Sequence, residues 1–127
     1  MSLITYRTWN RETVNTTDAT VTAIVTIACA SDTTTCIDAI IVARRTGGSA
    51  GTAQDGAAYH VYSVLKNVAG TATEIAAETV TVIGEDQAGW TVTVTVSAAN
   101  VLINVTGAVD NNISWVCDYH LTTVSTN

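Results

Sequence analysis

Cys29 and Cys36 flank the stretch Ser-Asp-Thr-Thr-Thr, where a hairpin would bring two thiols within bridging reach. Two chemistries fit that spacing: a redox-sensitive pair, or two small side chains packed in a core. A chain made in a reducing compartment favours the second, because free cysteine behaves as a buried hydrophobe and stays reduced. The expectation is that Cys29, Cys36 and Cys117 are all reduced and inert, at or near inward strand positions. Three cysteines without zinc-type spacing make no disulfide framework. Cys117 and His120 stand three apart, so in a strand they point to opposite faces and cannot close on one ion.

The carboxylates and the second histidine give no stronger constellation. Asp38 lies in the most apolar run of the chain, where a buried carboxylate requires a partner. Arg44 or Arg45 is the expected partner, in a structural ion pair, since no second carboxylate or nucleophile is placed with Asp38 for acid catalysis. His60 is alone on its strand. Glu85-Asp86 lacks an EF-hand frame and reads as a solvated turn. Gly47, Gly48, Gly51 and Gly56 mark a mobile hairpin loop; without a Lys-Ser/Thr end or a following helix it is no phosphate cradle. The pattern therefore predicts no catalytic, cofactor-binding or metal-ligating residue, and no enzyme.

Composition excludes further classes. The 127 residues carry a net charge of −6 with only five basic side chains, Lys66 the single lysine, so a phosphate backbone is repelled and nucleic acid is not an expected partner. No apolar run approaches the roughly 18 residues of a membrane span, and the first ten residues lack the basic start and apolar block of a signal peptide. The expectation is a soluble chain made in the cytoplasm, with the Asn-x-Ser/Thr patterns at Asn15, Asn104 and Asn112 arising by chance from a threonine-rich composition. Hydrophobic residues make up 47% without any Phe, and Pro is absent. Val, Ile, Ala and Leu must fill the interior, and Gly, Asn, Asp, Ser and Thr must make the turns.

The elements that would position these residues are strands. In residues 90–97, WTVTVTVS, every Val falls on one face and every Thr on the other, a period that only an extended backbone satisfies. Similar patterns predict strands over 3–9, 21–29, 36–45, 58–66, 101–106 and 113–121. Residues 10–20 read as a polar link. In 21–29 the inward set is Val21, Ala23, Val25, Ile27 and Cys29. Residues 36–45 are apolar throughout, as expected of a central strand buried on both faces. Tyr59, Val61 and Leu65 share a face, as do Ile113, Trp115, Cys117, Tyr119 and Leu121. Residues 71–83, TATEIAAETVTVI, begin with side chains that would tolerate a helix and end as a Thr/Val strand, and the apolar phase shifts between Ile75 and Val80, which suggests a bulge. Turns fall at 31–35, 46–56, 67–70, 84–89, 98–100 and Asp110-Asn111-Asn112. About eight strands at this spacing, with no helix required, predict an antiparallel β-sandwich, Greek-key or jelly-roll-like. Its single core spans residues 12–127, behind an amino-terminal arm or first strand over 1–11.

A set of landmarks in order along the chain adds a resemblance. Residues 12–20, ETVNTTDAT, then Val42 to Gly47, VARRTG, then Ala57-Ala58-Tyr59 and KNVAGT at 66–71, with Trp90, VLINVTG at 101–107 and Ile113-Ser114-Trp115, are similar to a small module of tailed-bacteriophage virion proteins. The resemblance implies a β-rich, non-enzymatic building block of virion surfaces, made in the host cytoplasm and assembled into the particle. Such modules occur within tail-fibre-like chains and in small capsid-associated proteins. A unit carrying only a short arm suits a capsid decoration or cement protein that stabilises the assembled shell by binding it, as a homo-oligomer bridging the major capsid protein or other virion subunits. A tail-fibre or tail-accessory module contacting the host surface is the alternative. A carbohydrate-binding β-sandwich is another, although Trp90 and Trp115 fall in phase with inward residues. Leu3, Ile4, Tyr6, Trp9 and Arg11 of the arm, with Arg44 and Arg45, are the expected interface, since aromatic and arginine side chains anchor interfaces.

Overall fold

Alternation along the chain builds nine strands among the described residues of a computed structural model, which are residues 9–126. They are β1 (Asn10–Thr16), β2 (Thr22–Ala28), β3 (Thr33–Gly47), β4 (Gly56–Val68), β5 (Thr71–Glu74), β6 (Thr79–Glu85), β7 (Thr91–Ser97), β8 (Asn100–Thr106) and β9 (Asn112–Ser125). All pairings are antiparallel. One sheet runs β1-β9-β3-β4-β5, with β6 also on β4, and the other runs β2-β8-β7. Their inner faces share one core in which Trp90, Trp115 and Tyr59 are at most 1% exposed among Ile37, Ile41, Leu65 and Ile103. The all-β expectation holds, with Trp90 and Trp115 in the core.

The departures from the sequence reading have local causes. The polar link over 10–20 is in large part a strand: β1 pairs residue by residue with β9 from Asn10↔Tyr119 to Thr16↔Ile113. It is a sheet edge, mostly solvated, so its composition is polar. Residues 3–8 of the expected first strand lie outside the described residues. In β2 the register shifts between Ala23 and Val25, so Ile24 and Val25 are both buried and Val21 is 61% exposed. A bulge of this kind flips the phase of everything before it.

The central position expected for 36–45 is correct, between β9 and β4, but its burial on both faces is not. Ile37, Ala39, Ile41 and Ala43 face the core, whereas Ile40 and Val42 are 40% and 49% exposed on the outer face of the large sheet. The phase shift after Ile75 is a break rather than a bulge. β5 pairs with Leu65–Val68 and β6 with Ala57–Tyr62, dividing one edge of β4 between two short strands. A separate register shift follows opposite Ala58 and Tyr59, at Ile83.

Candidate binding face

The outer face of the large sheet gathers the side chains that the sequence left scattered. Asp38 on β3 is paired with Tyr62 on β4 and with His120 on β9, and Tyr62 is paired with Thr79 on β6. Thr79, Tyr62, Asp38 and His120 therefore form one cross-strand row on one face. Trp9, just before β1, continues it, its ring centroid 5.7 Å from that of His120. His60, one row away opposite Ile40, reaches diagonally so that its Nε2 lies 2.7 Å from Asp38 Oδ1. Its ring meets Tyr62 edge to face at 4.1 Å. Asp38 is thus partnered by His60 and not by Arg44 or Arg45, and His60 is not alone.

The break between β5 and β6 adds a concavity at the end of this row. A hollow of about 350 Å³ is lined by Cys36, Tyr62, Val64, Ala76, Ala77 and Thr79. Tyr62 forms one wall and is itself 48% exposed. Among the described residues, Asp38 Oδ2, the Tyr62 hydroxyl and the His120 ring nitrogens have no hydrogen-bond partner in the protein.

The expected interface residues separate into three kinds. Leu3, Ile4 and Tyr6 lie outside the described residues. Arg11 is engaged: its Nε and Nη2 donate to Asp118 Oδ1 and Oδ2 at 2.7 and 2.8 Å across β1 and β9. That hydrogen bond holds the Asp118 carboxyl below its ordinary value and raises the guanidinium. Arg45 is structural, donating through Nε to Ala50 O and Asn111 Oδ1 at 3.0 Å each and through Nη2 to Gly48 O at 2.7 Å. Arg44 projects from the outer face, exposed and without an ion pair among the described residues.

The glycine-rich loop is hydrogen-bonded to the turn before β9 and to Gln87 after β6. Besides Arg45, the Ala50 amide donates to Asp110 O, and the buried Asp55 accepts from the Thr52 amide and from Gln87 Nε2. Gly48 has φ 108°, and a Cβ there would stand 2.1 Å from Asp110 O, so a side chain is excluded by space as well as by conformation. Glu85 and Asp86 are tied into this end too. Tyr59 Oη donates to Glu85 Oε2 at 2.7 Å, and the Gly56 amide donates to Asp86 Oδ2 at 2.8 Å. Burial and the neighbouring Glu85 carboxylate push the Tyr59 hydroxyl well above its ordinary value.

The thiols do not behave alike. Cys29 and Cys117 are buried free thiols, as expected, but Cys36 is exposed on the outer face of β3, which corrects its inward assignment. Burial raises Cys29, and burial with the charges of Asp118 and Glu12 pushes Cys117 up to about 12. No group of three or more metal-ligating side chains is found among the described residues.

No family model and no curated protein matches the sequence. The chain is similar to solved structures of phage proteins. The tailspike protein of Acinetobacter baumannii phage AM24 matches with a TM-score of 0.50 at 10% identity, over 94% of this chain and 27% of that one. The tailspike gp49 of Acinetobacter baumannii bacteriophage Fri1, described as a capsular polysaccharide depolymerase, gives 0.41 at 11% identity over 91% and 19%. The tailspike of Acinetobacter phage vB_ApiP_P1 gives 0.38 at 18% identity over 98% and 24%. The chain spans about a quarter or less of the length of these proteins. At such identity the AM24 likeness establishes a shared fold.

Proposed function

We propose that this chain is a phage virion module of the tail, a β-sandwich building block that works by binding and not by catalysis. The observation that carries the reading is the fold shared with part of the AM24 tailspike over nearly the whole of this chain. The order of landmarks resembling virion modules agrees with it. The likeness to a tailspike favours the tail-side alternative over the capsid-decoration reading. Neighbouring virion subunits, copies of this chain among them, are its partners in this reading.

Fractionation of phage particles that carry the protein, into heads and tails, followed by immunodetection, tests the placement. Recovery with the tail fraction is expected. Recovery only with tailless heads would overturn the reading in favour of shell decoration. The non-enzymatic part is tested by incubating the protein with host capsular polysaccharide: release of new reducing ends, lost on mutation of the outer face, would overturn it.

A further inference from the structure

We propose that the row from Trp9 to Thr79 on the outer face is a binding site for a neutral oligosaccharide, seated against Tyr62 and hydrogen-bonded to Asp38. The proposal rests on the tail-side reading for its biological setting and on four physical features for its chemistry.

The first feature is the alternation of ring and polar group. Trp9, His120, Asp38 and Tyr62 follow one another across β9, β3 and β4, with His60 bonded to Asp38 and against Tyr62. Rings with an apolar face take the C–H faces of a pyranose, and the groups between them take its hydroxyls. The second is length. Three strand intervals, from β6 to β9, cover about 14 Å. That is the span of an oligosaccharide rather than of a single sugar. The third is the hollow at the β5–β6 break, which gives an otherwise flat face a place to seat one ring against Tyr62.

The fourth feature is charge and satisfaction, and it selects the occupant. Asp38 uses Oδ1 on His60, at 2.7 Å, while Oδ2 and the Tyr62 hydroxyl lack protein partners among the described residues. An apolar protein surface laid over this row would remove water from those atoms and give nothing back, a costly arrangement for a carboxylate. Sugar hydroxyls replace the lost water with donors. An anionic polysaccharide is disfavoured by the net charge of −6 and by Asp38; among the described residues Arg11, the arginine beside the row, is held by Asp118, and Arg44 stands six residues along β3 from Asp38. Neutral pyranoses remain.

The test uses the intact chain on an array of immobilised neutral hexasaccharides built from hexoses, 6-deoxyhexoses and N-acetylhexosamines, with hyaluronan hexasaccharide as the anionic control. Retention on a subset of the neutral probes is expected. Tyr62→Ala and Asp38→Asn should each weaken it by about tenfold or more, Tyr62→Phe should retain it, and circular dichroism melts should show all three folded. Cys36 supplies an independent readout, because it lines the hollow: saturating soluble probe should slow its alkylation. Absence of retention on every neutral probe, or retention and Cys36 reactivity unchanged in Tyr62→Ala and Asp38→Asn, would overturn the proposal. A shift of oligomeric state in those variants with no sugar bound would also overturn it and assign the face to a second copy. Tail location is measured separately, so a tail protein that binds no sugar defeats only this inference, and a sugar-binding protein found on heads defeats only the tail reading.

Discussion

Trp115 Nε1 donates a hydrogen bond of 2.9 Å to Thr16 Oγ1 inside the core, joining the last strand of the chain to the first described one. β1 is an edge strand with few inward apolar groups, of which Val14 is partly buried, so this bond fixes it where hydrophobic burial contributes little. Thr16→Val keeps the shape and removes the acceptor, leaving a buried indole N–H unpaired. The expected cost is about 1–3 kcal/mol in urea unfolding. Thr16→Ser, which keeps the hydroxyl, should lose less. Equal stability of Thr16→Val and the parent would show that the bond contributes nothing.

What the sequence reveals depends on whether the physics is local. β7 and the inward set Ile113, Trp115 and Cys117 of β9 are legible because period-2 burial is written directly into residue type. β1 is not, since an exposed edge strand selects polar residues much as a loop does. The Ile24 bulge is hidden for a different reason: the residue that shifts the phase is itself apolar. The bond between Asp38 and His60 depends on register, with His60 opposite Ile40 and Asp38 opposite Tyr62, and a diagonal neighbour of this kind is fixed only once the strands are paired. For the same reason Asp38 looked like a partner for arginine. The apolar outer residues Ile40 and Val42, 40% and 49% exposed, made β3 read as doubly buried.

The thiols should separate cleanly under alkylation. Iodoacetamide at pH 8 is expected to add once to the native protein, at Cys36, and three times after unfolding. Cys117, pushed up to about 12 by burial and nearby carboxylates, is some four units above that pH. Very little of the thiolate that reacts is then present. Peptide mapping by mass spectrometry checks the assignment, and native labelling at Cys29 or Cys117 would mean that the core opens there.

The Glu74 carboxyl supplies a pH dependence. Burial raises it first, then the hydrogen bond with Glu78 and the charge of that neighbour, with the Glu78 amide acting in the opposite sense. A carboxyl raised in the folded state binds its proton more tightly there than in the unfolded chain. Its contribution is fully present below the unfolded value of about 4.3 and is lost as pH rises through the folded value. Asp18 and Asp118, both lowered, act the other way, so the readout must be a difference. Glu78→Gln should remove the neighbouring charge and gain stability relative to the parent toward neutral pH, with the gap closing toward pH 4. A gap in urea midpoint that is constant across this range would disprove the coupling.

The two adjacent arginines should behave as opposites. Arg45 holds Gly48 O, Ala50 O and Asn111 Oδ1 through its guanidinium, so Arg45→Ala removes the clamp between the loop at 48–55 and the turn before β9. Bonds from a charged donor are worth more than neutral ones, and a loss of about 1–3 kcal/mol is expected. Arg44, one residue earlier and facing solvent, has no such partner among the described residues, and Arg44→Ala should stay within about 0.5 kcal/mol of the parent. Hydrogen exchange gives the local test through the Ala50 amide, which donates to Asp110 O at 3.1 Å. Its exchange should accelerate in Arg45→Ala and stay unchanged in Arg44→Ala. Any loss of particle attachment in Arg44→Ala would then report a cation crossing an interface, because the fold around it is intact. The same loss in Arg45→Ala would report only a released loop. Equal exchange rates for the two variants would remove the distinction and return Arg45 to the surface.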